Sequence, residues 1–342
     1  MPVQHAAQSL GQAMTGTPIT PTIPLDGQGV HHGFLKLPHS RDDSAWGSVM
    51  IPITVIANGE GPTALLTGAN HGDEYEGPIA LQEMALTLDP DDVTGRVIIL
   101  PMMNLPAFAA GRRCSPIDGG NMNRSFPGRP DGTVTQKIAH YIASELVPQS
   151  DVVLDFHSGG STLDFLPFAA AHILDDKVQE AACMAGMRAF NAPYSVRMLE
   201  IDNIGMFDTE VENQGKVFVT TELGGAGTSS TRTVAIARKG LRNLLVHAGI
   251  LTGVPDLAPS VQLDMPDTSC FVFAEFAGLI EYLADLGDRV AKGDPVARIW
   301  PVDRTGVAPI PCLAAREGVL VARHVPGLVK MGDFIGLVAV EV

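Results

Sequence analysis

The sequence lacks several features that mark common classes of protein. No apolar run approaches the roughly 20 residues that a membrane-spanning helix requires, so no membrane partner is predicted. Basic residues are few: 23 Lys and Arg stand against 38 Asp and Glu, and the formal net charge of -15 repels nucleic acid. Residues 1–24 contain no basic start followed by an apolar stretch, which predicts a cytoplasmic rather than a secreted protein.

Cysteine is also scarce. The chain has four, none of them in a C-x-x-C pair: Cys114, Cys183, Cys270 and Cys312. This spacing predicts neither a disulfide framework nor a thiolate zinc site, and the four are interpreted as small buried hydrophobic residues. With 45% hydrophobic and 18% charged residues, the rest of the composition is that of an ordinary globular protein.

Strand-like apolar runs alternate with helical periodicity between residues 46 and 253, as in α/β proteins. We predict this range as the main domain, preceded by an N-terminal lead-in segment, 1–45. Residues 254–342 begin with a Pro-containing linker and are rich in Val, Gly and turn signals, which predicts a smaller C-terminal all-β domain. The predicted helices span about 78–88, 134–146, 177–190 and 231–248.

The C-terminal segment contains a weak internal repeat. Gly278-Leu-Ile, Lys292-Gly-Asp and Val296-Ala-Arg-Ile recur as Gly318-Val-Leu, Met331-Gly-Asp and Ile335-Gly-Leu-Val. The repeat predicts two similar β units that pack face to face. It resembles the half-repeats of lipoyl and biotinyl carrier domains, but no Met-Lys-Met-like tip lies between the halves. We therefore expect a structural or pocket-shaping role.

The sharpest local signal is G-A-N-H-G-D-E-Y-E-G at residues 68–77, which follows an apolar strand and precedes a helix. Sites in α/β sheets form at such strand ends. His71 and Glu74, three residues apart in a turn, can offer an imidazole nitrogen and a carboxylate oxygen to one zinc ion. Alone, this pattern is weak evidence for a metal site, because a helix-capping acid beside a surface histidine has the same sequence.

A third ligand is available in D-V-V-L-D-F-H-S-G-G at residues 151–160, where a buried strand ends in His157. Asp155, two residues earlier, points to the same side of the strand and can orient the imidazole. A core histidine with satisfied hydrogen bonds is the alternative. Together with the first motif, the position at a second strand end favours zinc and makes 46–253 a zinc-dependent catalytic domain.

A zinc hydrolase also needs a base for its water. Thr220-Thr-Glu222-Leu-Gly-Gly brings a carboxylate to the end of a third strand, so Glu222 is the candidate base. Glu74 is already used as a ligand. Glu76 is expected to face solvent on the following helix.

Residues 111–128, G-R-R-C-S-P-I-D-G-G-N-M-N-R-S-F-P-G, form a long loop that contains three arginines. Long loops of this kind are often functional. Arginine binds carboxylates through its planar fork, and a positive charge near the metal can stabilise an oxyanion. Ordinary surface arginines are the alternative, but in so acidic a chain the cluster favours an anionic substrate.

The four motifs H-G-D-E, N-M-N-R-S-F-P-G, D-F-H-S-G-G and T-E-L-G-G, in this order, resemble the succinylglutamate desuccinylase and aspartoacylase family, which is related to zinc carboxypeptidases. The resemblance covers roughly residues 48–253, and the C-terminal β segment also matches the architecture of the family. It implies a carboxypeptidase-like mixed sheet flanked by helices, with a smaller barrel-sandwich-like β domain, and one zinc ion per subunit.

Carried over to this chain, the family pattern implies a role for each motif. The zinc ligands would be His71, Glu74 and His157, and the general base would be Glu222. Arg113 would polarise the scissile carbonyl, and Asn123 and Arg124 would bind a substrate carboxylate. Because the spacing from this arginine to Asn-Arg differs from that in aspartoacylases, either Arg112 or Arg113 can be the electrophile.

Longer stretches, such as S-P-I-D-G-G-N-M-N-R-S-F-P-G-R-P-D-G-T-V-T, resemble the bacterial branch of the family that acts in ectoine breakdown. That branch hydrolyses N2-acetyl-L-2,4-diaminobutanoate to acetate and 2,4-diaminobutanoate. The pocket should then contain an acid for the side-chain ammonium. Four acids before the strand of Glu222 are the candidates, with a solvated acidic loop as the alternative: Asp202, Asp208, Glu210 and Glu212.

Three other functions stay open at this point. They are a deacylase for acidic amino acids of the aspartoacylase or succinylglutamate desuccinylase type, a carboxypeptidase, and a non-catalytic zinc-stabilised binding protein. Glu222 argues against the last, because a structural zinc site needs no base and usually closes all four positions with protein ligands. A dimer is expected from the frequency of that state.

Overall fold

A computed structural model describes residues 16–342 of the chain. Residues 1–15, the first part of the predicted lead-in segment, lie outside the described residues. The strands, in chain order, are β1 (Thr20–Pro21), β2 (Gly29–Pro38), β3 (Ser48–Asn58), β4 (Thr63–Gly68), β5 (Gly95–Leu100), β6 (Val152–His157), β7 (Leu163–Phe165), β8 (Phe168–His172), β9 (Tyr194–Met198), β10 (Val217–Glu222), β11 (Val261–Asp264), β12 (Phe271–Phe273), β13 (Gly278–Tyr282), β14 (Arg289–Val290), β15 (Pro295–Trp300), β16 (Ile310–Leu313), β17 (Gly318–His324), β18 (Leu328–Val329) and β19 (Phe334–Glu341). The α-helices are α1 (Glu76–Thr87), α2 (Leu105–Ala109), α3 (Val134–Tyr141), α4 (Lys177–Phe190), α5 (Phe207–Asn213) and α6 (Thr231–His247).

The main sheet is mixed and, within residues 16–342, has 15 strands in the order β1-β2-β3-β5-β4-β6-β10-β8-β9-β11-β19-β17-β14, with β12 and β7 at its side. Its centre, β5-β4-β6-β10, is parallel. A separate antiparallel sheet of order β16-β15-β13-β18 lies in the C-terminal region. The predicted α/β class, with a mixed sheet and a smaller β part, is confirmed.

Both faces of the parallel centre are buried. On one face Leu66 and Leu154 pack against α1, α4 and α6, and on the other Leu65 and Val153 pack against α3 and α5. This alternation follows from the two-residue period of a strand. Burial on both faces also explains why β4 and β6 are continuous apolar runs in the sequence. Only the strand ends are left open for a polar site.

Helix boundaries largely follow local signals. The side chain of Asp176 accepts hydrogen bonds from the first turn of α4, and Asn191 ends that helix in the left-handed conformation at φ 59°. The helix predicted over 134–146 keeps α-helical geometry only through α3. It then widens into a π turn, Ile142–Leu146, directly before a turn that contains Pro148, whose missing N–H cannot continue the helical hydrogen bonds.

The C-terminal repeat corresponds to two β units of the same order, β13-β14-β15 and β17-β18-β19. The units exchange their short strands, because β14 pairs with β17 and β18 pairs with β13. The equivalent turns use Gly293 and Gly332 at φ 92° and 90°, where other residues are strained. One hydrophobic cluster takes residues from both units, so the repeat packs as the sequence predicts.

Strand pairing ties the two outer segments to the central sheet. Strand β2, which runs through the predicted lead-in segment, pairs with β3 over ten residues. Strand β11 pairs with both β9 and β19, and β7 pairs with β17. The main sheet therefore continues across the predicted boundaries at 45 and 253, which stay predictions. Among the helices of residues 16–342, none is long and apolar enough to cross a membrane.

Candidate active site

Three motifs meet where three neighbouring parallel strands end. Strands β4, β6 and β10 lie side by side. The last residue of β4, Gly68, opposes Phe156, and the last residues of β6 and β10, His157 and Glu222, oppose each other. His71 follows three residues after the end of β4. Carboxyl ends of parallel strands share one edge of the sheet, so these side chains converge there.

Tight backbone packing holds the turn after β4. Ala69 takes a positive φ of 51°, which is rare for a residue with a side chain. A Cβ on Gly72 would lie 2.1 Å from the carbonyl carbon of Ala107, so only glycine fits there. The backbone N–H and hydroxyl of Ser161 donate to Asp73 at 2.8 and 2.7 Å, which fastens the loop after β6 to this turn.

His71, Glu74 and His157, which we call the His71 cluster, form a compact group at this edge. The two carboxylate oxygens of Glu74 face one imidazole each, at 2.7 Å from His71 Nδ1 and 3.0 Å from His157 Nδ1. All three candidate ligand atoms lie within 4.8 Å of one another. The three residues predicted as zinc ligands are thus brought together.

The carboxylate of Asp155 orients one imidazole from behind. Its Oδ2 accepts from His157 Nε2 at 2.9 Å and from the Asn70 amide at 2.9 Å, and Thr67 donates to its Oδ1 at 2.7 Å. The proton of His157 is therefore held on Nε2, and Nδ1 presents its lone pair to Glu74. This is the orienting contact that the sequence predicted for Asp155.

The His71 cluster requires a cation between its donors. A nitrogen lone pair and a carboxylate oxygen only 3.0 Å apart repel each other unless a proton or a metal ion is shared. Burial lowers the pKa of His157, but the charges of Glu74 and Asp155 outweigh burial and raise that pKa well above its ordinary value. Burial would raise the pKa of Glu74, yet the two imidazoles lower it. Two imidazoles and one carboxylate are a donor set that zinc takes, so the residues fit this metal.

Glu222 is half-buried beside the His71 cluster. Its Oε2 is buried and accepts no hydrogen bond from any residue of 16–342. Burial, and next the charge of Glu74, raise the pKa of Glu222 well above its ordinary value. The side chain is therefore poised to hold a proton. The expectation that Glu76 faces solvent is wrong: its side chain is buried and accepts from Thr233 on α6, because the first turn of α1 packs inward.

The two neighbouring arginines differ in position. The guanidinium of Arg113 lies 3.2 Å from His71 Nδ1 and 4.0 Å from Glu74. Arg112 is exposed, and its guanidinium forms no hydrogen bond or ion pair with any residue of 16–342. Of the two candidates for the electrophile, Arg113 is therefore the one beside the His71 cluster.

Asn123 and Arg124 lie on the loop that faces α5. Asn123 is buried, and its Oδ1 accepts from the backbone N–H of Phe207 at 2.9 Å. That contact orients the amide so that Nδ2 is available as a donor. Arg124 donates to the carbonyl of Asn123 at 2.6 Å and lies 4.0 Å from Asp202. The pair offers an amide donor and a guanidinium side by side.

A second histidine–carboxylate group was not predicted from the sequence. We call it the His172 cluster: His172, Glu200, Asp208 and Glu212. His172 Nδ1 lies 2.9 Å from Glu212, and Nε2 lies 3.1 Å from Glu200 and 3.9 Å from Asp208. Burial lowers the pKa of His172, but the neighbouring carboxylates raise it well above its ordinary value, so the ring is an imidazolium. Burial raises the pKa of Asp208 to about 6.

The same signal that drew attention to His157 marks His172. Residues 168–172, F-A-A-A-H, are an apolar run that ends in histidine. Of the four acids considered for an ammonium, Asp208 and Glu212 belong to the His172 cluster. The other two lie elsewhere: Asp202 is exposed, and Glu210 accepts from Gln214 at 2.8 Å. No pattern in the sequence singles out Glu200.

A cavity of about 140 Å³ connects the two clusters. The His71 cluster lies on one side. The other charged or amide side chains in its wall are Arg113, Asn123, Arg124, Glu200, Asp208 and Glu222. One small space therefore combines a metal-binding group, a buried carboxylate, anion-binding donors and two further carboxylates.

Comparisons with known proteins agree with this geometry. Residues 60–248 match the family described as the succinylglutamate desuccinylase/aspartoacylase catalytic domain. The chain is 57% identical over 326 residues to the N-alpha-acetyl-L-2,4-diaminobutyric acid deacetylase of Halomonas elongata, covering 94% of this chain and 95% of that protein.

Two solved structures are similar over nearly the whole chain. The product-bound structure of the ectoine utilization protein EutE (DoeB) from Ruegeria pomeroyi is 66% identical, with a TM-score of 0.94 over 95% of this chain and 99% of that chain. The crystal structure of a succinylglutamate desuccinylase from a Silicibacter species is 65% identical, with a TM-score of 0.93 over 96% of this chain and 100% of that chain.

Fold, site and comparisons define the class of this protein: it is a hydrolase that acts on the amide of N-acyl amino acids. Within that class, the chain belongs to the succinylglutamate desuccinylase/aspartoacylase family. The resemblance found in the four sequence motifs is confirmed.

Proposed function

We propose that the chain hydrolyses N2-acetyl-L-2,4-diaminobutanoate to acetate and 2,4-diaminobutanoate, with one zinc ion held by His71, Glu74 and His157. The observation that carries the proposal is the single cavity in which anion-binding donors and carboxylates lie on either side of a metal-binding group. Such a pocket suits an amino acid with one carboxylate and one side-chain ammonium. The name of the Halomonas relative, given for this acetylated substrate, supports the same choice.

The residues of the His71 cluster would hold zinc through two imidazoles and a carboxylate. A zinc ion bound there supplies a Lewis acid that polarises the acyl carbonyl and makes water more acidic. Asp155 keeps His157 in the tautomer that can ligate. A set of three protein ligands is typical of catalytic rather than structural zinc sites.

Glu222 is proposed as the general base and then the general acid. Its buried, unpaired Oε2 takes a proton from the attacking water and later gives it to the departing α-amine. The carbon–oxygen bond to water forms first, and the carbon–nitrogen bond of the amide then breaks. The products are acetate and the free amine.

Arg113 is proposed to stabilise the negative charge that develops on the acyl oxygen, and the Asn123–Arg124 pair is proposed to bind the substrate carboxylate. The guanidinium of Arg113, 3.2 Å from His71 Nδ1, would face the acyl oxygen of a substrate bound beside the His71 cluster and stabilise the charge that develops there. Asn123 Nδ2 and Arg124 can donate to the substrate carboxylate, which fixes the amino acid relative to Glu222. Arg112 has no role in this arrangement.

The proposal is tested by comparing kcat/KM for four substrates with zinc-loaded enzyme: N2-acetyl-2,4-diaminobutanoate, N-acetyl-aspartate, N2-succinyl-glutamate and a dipeptide. We expect the first to be the best substrate. The N4-acetyl isomer of diaminobutanoate, which has no side-chain ammonium, serves as a matched control and should be hydrolysed poorly. A higher kcat/KM for acetyl-aspartate or for the dipeptide would refute the assignment. The dimer and the cytoplasmic location stay predictions.

A further inference from the structure

The His172 cluster contains more negative than positive charge. When ionised, Glu200, Asp208 and Glu212 carry three negative charges against one positive charge on the imidazolium of His172, a balance of -2. Unpaired negative charge in a buried site is unfavourable unless a cation binds. The cluster therefore lacks at least one positive charge.

The unsatisfied oxygens belong to the two acids that reach the cavity. His172 Nδ1 and Glu212 form a close pair at 2.9 Å, away from the cavity wall. Glu200 Oε1 lies 3.1 Å from His172 Nε2 as an ion pair, yet it is buried without a well-aligned hydrogen bond. The side chain of Asp208 is only 8% exposed. Its Oδ1 accepts from Thr209, whereas its Oδ2 accepts no hydrogen bond from any residue of 16–342.

We propose that Glu200 and Asp208 form the subsite for the side-chain ammonium of the substrate, and that His172, held by Glu212, positions both carboxylates. This inference rests on the proposed function and names the residues that select its substrate. An ammonium has one positive charge and three donors, which match the missing charge and the two carboxylate oxygens that accept no hydrogen bond, one on Glu200 and one on Asp208. His172 and Glu212 are positioning residues, because they act through the two acids.

The start of α5 couples this subsite to the carboxylate-binding pair. The backbone N–H of Phe207 fixes the amide of Asn123 at 2.9 Å, and the next residue, Asp208, faces the cavity. The ring of Phe207 packs on Phe126 of the same loop, with centroids 4.7 Å apart. The carboxylate and the side-chain ammonium of one substrate molecule can therefore bind to adjacent residues, which the packing of α5 against this loop holds in place. A side-chain carboxylate, as in aspartate, would be repelled by Glu200 and Asp208.

A second metal ion is the competing occupant, because His172, Glu200 and Asp208 also offer atoms within 4.8 Å of one another. The contacts favour an ammonium. The His172 cluster offers one imidazole against three carboxylates, whereas imidazole-rich sets are typical of zinc. Binding of a second metal ion at the His172 cluster is therefore one of the outcomes that the test distinguishes.

The test uses the zinc-loaded enzyme and two substrates that differ only in charge. N-acetyl-norvaline has a methyl group where N2-acetyl-2,4-diaminobutanoate has its ammonium. For Asp208→Asn and for Glu200→Gln we expect kcat/KM to fall about 10- to 100-fold on the ammonium substrate and less than about threefold on the norvaline substrate, as for a lost charged hydrogen bond. Glu210→Gln, on the same helix but outside the His172 cluster, is the matched control and should change neither.

Binding of the products gives a readout that does not depend on turnover. Calorimetry should show weaker binding of 2,4-diaminobutanoate to both variants and unchanged binding of norvaline. Equal losses on both substrates, or for both ligands, would overturn the inference, as would a second zinc ion per chain that Glu200→Gln removes. If the wild type binds diaminobutanoate in this charge-dependent way but does not hydrolyse its acetyl derivative, the proposed function fails and the ammonium subsite stands.

Discussion

The His71 cluster and the His172 cluster use the same side chains in opposite proportions. The first has two imidazoles around one carboxylate, and the second has one imidazole among three carboxylates. Both are buried, and both face one cavity. Yet their donors suit different cations, since nitrogen-rich sets are typical of zinc and an excess of carboxylates favours an ammonium or a hard cation.

The difference shows that the ratio of imidazole to carboxylate, rather than burial alone, decides what a buried group can bind. Burial lowers the pKa of His71, whereas the pKa of His172 is raised despite burial because three carboxylates surround it. The pKa of His157, which also faces two carboxylates, is raised as well, so the additional imidazole of His71 is what the His172 cluster lacks.

The largest effect is expected from the comparison of His71→Ala with His172→Gln. Removing His71 takes away a ligand, so we expect loss of bound zinc and a fall in deacylase rate of about 10³-fold or more. His172→Gln should keep one zinc ion per chain. Metal analysis of the purified variants, beside their circular dichroism spectra, checks both statements. Loss of zinc from both variants would remove the distinction between the clusters.

Glu222→Gln tests whether Glu222 is the general base that acts beside the His71 cluster. The amide keeps the shape of the side chain but cannot accept a proton, so we expect normal zinc content and kcat lowered about 10²- to 10⁴-fold. Glu76→Gln is the matched control, because Glu76 is buried near this edge but bonds to Thr233 instead of lining the cavity. A similar fall in kcat for the control, or an active Glu222→Gln enzyme, would contradict the role.

Arg113→Ala and Arg112→Ala test which guanidinium acts on the acyl group. Only Arg113 lies beside the His71 cluster, so its removal should lower kcat/KM about 10²- to 10³-fold, in the range of a lost oxyanion donor. Arg112→Ala should stay within a few-fold of the wild type. Steady-state kinetics on the acetylated substrate measure both. The reverse ranking would move the electrophile to Arg112.

Much of the His71 cluster is predictable because each of its residues ends or follows a strand in a short contiguous motif. Parallel strands bring their carboxyl ends together, so His157 and Glu222 converge once β6 and β10 are recognised as neighbours. The motif also predicts correctly that Asp155 points to the same side of β6 as His157. Local capping signals likewise gave the bounds of α4.

The His172 cluster escapes this reasoning because its residues come from elements that no short motif connects. Strand β8 runs antiparallel to β10, and the ring of His172 therefore stacks near Phe218, the second residue of β10, rather than at the carboxyl end of the parallel centre. Glu200 follows β9, and Asp208 lies on α5. Their meeting depends on the strand order β10-β8-β9, which periodicity along the chain does not encode.

The smallest effect concerns stability, and it tests the missing positive charge directly. Burial raises the pKa of Asp208 from 3.8 to about 6 in the folded protein, with His172 opposing and Glu200 and Glu212 adding to the shift. A raised pKa disfavours the ionised form in the folded state. The stability that protonated Asp208 contributes is therefore complete below pH 3.8 and is lost as the pH rises through about 6.

Asp208→Asn removes this ionisation, so the variant should be more stable than the wild type at pH 7.5 and not at pH 3.5. The rise in pKa from 3.8 to about 6 corresponds to a difference on the order of 3 kcal/mol between the two pH values. Denaturant unfolding of both proteins at each pH measures it, with Glu210→Gln as the control. Saturating 2,4-diaminobutanoate should abolish the advantage at pH 7.5, because an ammonium bound beside Asp208 stabilises its charged form. A gain that is independent of pH, or that persists with the ligand, would mean that the His172 cluster lacks no cation.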